Sequence, residues 1–251
     1  QVRSRGGKIR ELRDDDAGVE YKGPMLVLVN RFSASASEIF AGALQDYKRA
    51  LIVGDEHTHG KGTVQAMLDL DRASRLQGME KYLPLGALKV TIQKFYRISG
   101  ESTQERGVVP DIILPSRYDG LKSGEKYLTN ALIWDHIESA DYKLWQSPAT
   151  HIERLRAESA KRVTASEKFK ELIEVADKAN ERRENSQQSL QLAQIIKERE
   201  ELQQLEVDET ASPHGGLEPA KKEGKEEPTL KEKIKDDPYV LEAEQLLLGL
   251  Q

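Results

Sequence analysis

Met25 to Val29 form a continuous apolar run between Gly23-Pro24 and Asn30. Its length and branched residues predict a strand buried in a mostly parallel sheet. Glu38 to Lys48 follows, with Ile39, Phe40, Ala43 and Leu44 at helical spacing, which predicts a helix with one apolar face. Ala50 to Val53 is a second short apolar run, ended by Gly54, and predicts a second buried strand. Strand, helix, strand in that order is a crossover unit, so an α/β core is expected. Thr63 to Leu68 and Leu88 to Ile98 predict further strands, and Ser99-Gly100-Glu101 a turn. Val108 to Ile112 ends the sheet region. Residues 1–22 are polar and charged, with Gly6-Gly7 as a turn signal and Arg13 to Asp16 as a loop.

The pattern changes after Pro115. Segments near 150–160, 166–184 and 189–206 show helical spacing, for example Phe169, Leu172, Ile173 and Ala176. Residues 207–229 hold several Pro and Gly among many charges, a composition unable to bury a core. Tyr239 to Leu250 predicts a last amphipathic helix, opened by Pro238. The expected organisation is a sheet region over 1–115, a helical accessory region over 116–206, a charged linker over 207–229 and a C-terminal helix within 230–251.

Charged residues make up 32% of the 251, above the roughly 25% of an ordinary globular domain. The excess places part of the chain in solvated helices or tails. A formal net charge of −5 gives no electrostatic reason to expect nucleic acid as a partner. No apolar run reaches the roughly 18 residues that predict a membrane span. The chain has no Cys, which excludes a disulfide framework and a cysteine nucleophile. No charged-then-apolar signal segment follows Gln1.

Candidate chemistry gathers in Asn30-Arg-Phe-Ser-Ala-Ser-Ala-Ser-Glu38, between a predicted buried strand and a helix start. Ser35 with Glu38 three residues later fits a helix N-cap with a capping box, and a capping serine needs no further role. Its surroundings point beyond that. Ala34 and Ala36 flank Ser35 where a substrate carbonyl would need close approach. Amides at a helix start are ready donors to an oxyanion, and the Ala36 N–H is the candidate donor.

A serine hydroxyl needs a base to become a nucleophile. Lys61, in Gly60-Lys-Gly-Thr-Val-Gln65 after the second strand, is the candidate. An exposed lysine is no base at neutral pH, and lowering its pKa from about 10.4 to about 7 costs about 4.6 kcal/mol. Burial against apolar strands is one source of such a shift. Gln65, four residues on, is placed to orient the amine without adding charge. The plain alternative for Lys61 is a surface lysine in a turn.

A phosphate loop fails on count. Gly54 and Gly60 are separated by five residues rather than four, and Gly62 stands where Ser or Thr would reach magnesium. His57 and His59 flank Thr58 and would share one face of an extended segment. Two ligands without a carboxylate cluster do not make a metal site, and no metal is expected. A Ser35–His59–Asp46 triad is a rival to the Ser–Lys pair, although Asp46 by default caps or pins the helix end.

Phe32-Ser-Ala-Ser-Ala-Ser-Glu-Ile39, Gln45-Asp46-Tyr47, Val53-Gly54, Gly60-Lys-Gly-Thr-Val-Gln65 and Thr91-Ile-Gln-Lys-Phe-Tyr96 occur in that order. Gly107-Val-Val-Pro-Asp-Ile112 closes the series. Together they resemble the tail-specific proteases, the long bacterial members of the carboxyl-terminal processing peptidases. The resemblance is strong over residues 1–115 and looser from Asp135 to Leu250. It implies a fold of the ClpP/crotonase kind, Ser35 as nucleophile, Lys61 as general base, Gln65 positioning the lysine and Asp46 in support. It implies no cofactor. The substrates it implies are proteins with apolar, unstructured C-termini, including envelope lipoproteins and peptidoglycan hydrolases, met in the Gram-negative periplasm or at its membranes, with an adaptor protein as a further partner.

Two departures stand out. The Asp55 to His59 loop is one residue longer than the family pattern and carries two His. The family's N-terminal helical region, PDZ domain and first half of the protease core have no counterpart here, so a C-terminal fragment is expected. Three functions stay open. They are a Ser–Lys endopeptidase, a catalytically idle relative that binds protein tails, and an acyl-CoA-type enzyme on the same fold, which would need no nucleophilic serine.

Overall fold

The computed structural model describes residues 1–16, 18–73, 82–145, 152–185, 189–196 and 234–250. The expected linker at 207–229 lies outside them, as does most of the expected helix at 189–206, of which 192–196 is helical. The crossover unit is present: β3 (Leu26–Val29), α1 (Ala36–Asp46) and β4 (Leu51–Gly54), with β3 and β4 parallel and Leu26 opposite Leu51. β7 (Ile112–Ile113) adds in parallel on the far side of β4, giving the order β3-β4-β7.

Alternation along β4 divides the core. Ile52 faces Val29, Ala41 of α1 and Val108. Leu51 and Val53 face the other way, into a cluster with Ile112, Leu114 and three helices. Those helices are α3 (Ile152–Ala165), α4 (Glu167–Glu184) and α5 (Pro238–Gly249), contributing Leu155, Phe169, Leu172 and Leu246. The central strand is covered on both faces, which explains its unbroken apolar sequence. Ser166 caps α4 and Asp237 caps α5, each side chain accepting from the first turn. Pro238 at the start of α5 costs nothing there, because that N–H has no intrahelical partner. Among the described residues no helix is long and apolar enough to cross a membrane.

Three details differ from the sequence expectation. β3 is an edge strand, so only Val29 of the expected buried run is buried and Leu28 is exposed. Ile39 and Phe40 are exposed, and α1 instead buries Glu38, Ala41 and Gly42. Ala41 packs on Ile52 of β4 and Gly42 lies against the Arg97 side chain, while Glu38 goes inward because donors await it there. The polar N-terminal stretch contains strands β1 (Val2–Ser4) and β2 (Ile9–Arg10), joined across Gly6-Gly7. Their sequence carries little apolar signal, and the pairing of Val2–Ser4 with residues 93–95 is what makes them strands.

The second sheet is antiparallel, in the order β2-β1-β6-β5, with β5 (Thr63–Asp69) and β6 (Ala87–Phe95) forming a long ribbon. A single helical turn, α2 (Leu70–Ala73), follows β5. Arg3 of β1 lies directly opposite Lys94 of β6, a pairing of like charges that would weaken the sheet. Asp135 resolves it by accepting from Arg3 and, at 2.6 Å, from Lys94. The Tyr96 hydroxyl also donates to Asp135 at 3.2 Å, and its pKa is pushed up to about 12 by burial and the nearby carboxylate. Burial opposes the Asp135 charge, but Lys94 and Arg3 outweigh it and hold the carboxyl below the ordinary value.

A depressed carboxyl stabilises the fold above its unfolded value and loses that contribution as pH falls through the folded one. Asp135→Asn should therefore lower Tm by about 2–4 °C at pH 7, the shift expected of about 1 kcal/mol in a chain of this size. The gap to the unsubstituted protein should begin to narrow below about pH 4, where the unfolded carboxyl protonates, and close only below the depressed folded value. Thermal melts across that range would test this, and a gap unchanged by pH would refute the role given to Asp135.

Candidate active site

Asn30 follows β3 and starts the turn that carries Ser35. Its side-chain oxygen accepts from the amides of Phe32 and Ser33 at 3.0 and 3.1 Å, the hydrogen bonding of an Asx turn. Ser35 is the N-cap of α1, with φ 56° and ψ −109°. A non-glycine residue at positive φ outside the usual left-handed basin is strained, and such strain concentrates at functional sites. The sequence alone gave no sign of this strain.

Glu38 fits the capping-box pattern expected with Ser35. Its carboxylate accepts from the Ser35 N–H at 2.8 Å, while the Glu38 amide donates to the Ser35 carbonyl at 3.0 Å. The same carboxylate reaches much further than a cap requires. Oε1 accepts from the Thr58 hydroxyl at 2.5 Å and the Gly60 amide at 2.6 Å. Oε2 accepts from the Lys61 amide at 2.9 Å, besides that of Ser35. One carboxylate oxygen thus ties the amides of both candidate residues, keeping their nitrogens no further apart than the sum of two hydrogen bonds. Glu38 is fully buried. Burial pushes its carboxyl up, against the pull of the four donors.

The loop carrying Lys61 is held from its other side by residues 102–105. Glu105 donates its amide to Gly60 O at 2.8 Å, and Gly62 donates to the Gln104 side chain at 2.9 Å. A Cβ at Gly60 would lie 2.9 Å from the Glu105 carbonyl, and one at Gly62 would lie 2.7 Å from the Gln104 amide. The two glycines flanking the lysine therefore permit a backbone approach that no other residue would. The His59 amide donates to Ser33 O at 2.9 Å, a second tie between the two loops. Lys61 is half-buried, and its ammonium meets no hydrogen-bond or ion-pair partner among the described residues.

The remaining expected residues fall in different places. Ala36 opens α1 and is exposed, and its amide donates to no described group, leaving it free for an oxyanion. Gln65 lies on β5 beside a bulge between Val64 and Gln65, is exposed, and makes no hydrogen bond to Lys61. Asp46 is at the opposite end of α1 from Ser35, about 16 Å along the axis at 1.5 Å per residue. There it accepts from Arg97 and, at 3.2 Å, from Ser99. The Ser35–His59–Asp46 triad is therefore not assembled, because the helix separates its serine from its carboxylate. Asp46 pins the helix end, as expected of it by default.

His57 and His59 do not converge on a shared partner. His57 contacts Thr58 O at 2.7 Å through Nδ1 and the Lys126 ammonium at 3.3 Å through Nε2, an arrangement suited to a neutral ring with its proton on Nδ1. His59 keeps Nδ1 buried without a partner. Among the described residues no group of three or more His, Asp or Glu is placed to hold a metal ion. Sequence reasoning missed the reach of Glu38 and the part of Thr58, whose hydroxyl also accepts from the Val108 amide at 2.7 Å. A lone acid after a run of small residues was the available signal, and local helix capping accounted for it too easily.

Residues 1–114 match the model of peptidase family S41, and residues 118–250 match the C-terminal domain of tail specific protease. Over 142 residues the chain is 51% identical to the tail-specific protease of Haemophilus influenzae, covering 57% of this chain and 20% of that protein. It is 40% identical over 126 residues to the carboxy-terminal-processing protease of Bartonella bacilliformis, covering 47% of this chain and 26% of that one. It is 36% identical over 119 residues to the chloroplastic C-terminal processing peptidase of Tetradesmus obliquus, covering 45% and 23%. The matched stretches thus span between a fifth and about a quarter of these relatives.

Proposed function

Because this chain belongs to the tail-specific proteases of peptidase family S41, we propose that it carries the nucleophile and general base of a serine endopeptidase. Ser35 attacks the scissile carbonyl through Oγ, and the neutral Lys61 amine takes the hydroxyl proton. The developing oxyanion accepts from the Ala36 N–H. Lys61 then returns the proton to the leaving amine, and water hydrolyses the acyl-enzyme by the reverse use of the same base. Gln65 orients the lysine amine once substrate has ordered the site, and Asp46 supports the far end of α1. The observation that carries this reading is the Glu38 oxygen bonded to both the Ser35 and Lys61 amides. A cap alone has no use for the second bond.

The substrates in this reading are proteins with apolar, unstructured C-termini, envelope lipoproteins and peptidoglycan hydrolases among them, cut in the periplasm with an adaptor's help. The division into a protease part over 1–115, an accessory region over 116–206, a linker over 207–229 and a closing helix within 230–251 belongs to the same proposal. A fluorophosphonate probe applied to the intact protein tests the chemistry. It should label Ser35 alone, and at least tenfold more slowly after Lys61→Ala. Labelling elsewhere, or a rate indifferent to Lys61, would overturn the proposal.

A further inference from the structure

Arg31 lies four residues before Ser35 and takes no part in the proposed chemistry, yet its side chain is only 3% exposed. Its partners account for the burial. Asp55, at the end of the adjacent strand β4, accepts from Arg31 Nε at 2.9 Å and from Nη2 at 3.0 Å. The Asp55 carboxylate also accepts from the Arg31 backbone amide at 3.1 Å. The outer side of the guanidinium turns to the segment just beyond the sheet region. Nη2 donates to Asp119 at 3.0 Å and Nη1 to Leu121 O at 3.1 Å. Three nitrogens thus serve four acceptors, a pattern that suits the rigid fork of arginine and not the point charge of lysine.

Residues 116–127 touch both candidate loops. On the serine side, Tyr118 meets Phe32 edge to face at 5.0 Å, beside the Arg31–Asp119 pair. On the lysine side, the Glu125 amide donates to His59 O at 2.9 Å, and Lys126 reaches His57. The segment is itself anchored to the helical region. Asn180 of α4 donates to Asp119 O at 2.9 Å. The Tyr239 hydroxyl of α5 donates to Pro115 O at 2.9 Å. Within the segment, Asp119 also accepts from the Ser116 amide at 2.8 Å, which fixes its carboxylate for Arg31.

We propose that residues 116–127 form a brace that sets Ser35 against Lys61, with Arg31 as the positioning residue through which the C-terminal helices hold the nucleophile turn. The proposal rests on the reading of Ser35 and Lys61 as the reacting pair. Arg31 touches neither substrate nor the reacting atoms. Its effect comes through the backbone of the turn, whose geometry the reaction requires to within about 1 Å. The brace therefore bears on kcat and leaves substrate binding alone.

The test compares Arg31→Lys, Asp119→Asn and the double variant in the intact protein, alongside Ser35→Ala. Arg31→Lys keeps the charge and loses the fork, so kcat should fall about 100-fold with KM held within about twofold. Asp119→Asn should lower kcat about tenfold. Its side chain is 42% exposed and the amide oxygen can still accept from Ser116, so this variant folds and decides the matter if Arg31→Lys does not. The double variant should be no worse than Arg31→Lys within about twofold, since both act through one link. Fluorophosphonate labelling of Ser35 should slow in step with kcat. Unchanged kcat in folded Asp119→Asn, a rise in KM alone, or losses that multiply in the double variant would each overturn the brace. Activity surviving in Ser35→Ala would instead sink the protease reading beneath it. An inactive Ser35→Ala beside a fully active Asp119→Asn would sink the brace alone.

Discussion

Ser35→Ala and Lys61→Ala should each reduce peptide-bond hydrolysis by the intact protein to background, a fall of about 10⁴-fold or more. The two losses should be alike because the proposed mechanism uses the pair as a unit. Without the hydroxyl no acyl-enzyme forms, and without the amine the hydroxyl keeps its proton. Turnover of a fluorogenic peptide measures both. Adding the substitutions together should cost little beyond either one, as expected for groups that share a single step. His59→Ala should retain most activity, since its imidazole lacks a carboxylate partner and Asp46 is occupied by Arg97 and Ser99. A collapse of activity in His59→Ala, with Lys61→Ala spared, would hand the role of base to the histidine.

Glu38→Gln should be nearly as damaging, although Glu38 touches no reacting atom. The amide keeps the shape of the carboxylate and offers one accepting oxygen where there were two. Its NH₂ must then face either the amides of Ser35 and Lys61 or the donors of Thr58 and Gly60. Two buried donors lose their acceptor, at about 1–3 kcal/mol each. A loss of about 3 kcal/mol in stability and of about 100-fold in kcat is expected. Chemical denaturation and steady-state kinetics would measure the two effects separately. Full activity in Glu38→Gln would mean that the two loops find their register without the shared carboxylate.

The parts of this fold set by local sequence were legible and the parts set by pairing were not. β3, α1 and β4 announce themselves through apolar runs and helical spacing, and their parallel arrangement follows from the crossover. β1 and β2 were missed because Val2–Ser4 and Ile9–Arg10 are strands only by virtue of β6. The inward face of α1 was misread because hydrophobicity pointed to Ile39 and Phe40, while the helix packs through Ala41 and Gly42 around a buried acid. The segment 116–145 offered no periodicity. It holds one short 3₁₀ turn, Glu125–Tyr127, and is otherwise irregular, with the long helices starting only at Ile152.

The candidate site divides in the same way. Ser35 and Lys61 were visible because small residues surround each of them and the two motifs stand at a recognisable spacing. The strain at Ser35, and the carboxylate that joins the two, are three-dimensional facts. Arg31, Asp55 and Asp119 are spread over almost ninety positions of sequence, so no local reading could assemble them. Arg31 and Asp55 look solvated in a linear string and prove buried because their partners come from distant segments.

Leu246 of α5 is fully buried against a cluster that includes Leu51 and Val53 of β4. Roughly 200 residues separate the strand from the side chain that covers it. At translation rates of about 5–20 residues per second, the ribosome takes roughly 10–40 s to make that length. Throughout that interval one face of the central strand has no cover from α5. A newly made chain therefore passes through a stage in which the strand leading to the Lys61 loop is synthesised but sticky, and needs shielding until its last helix arrives.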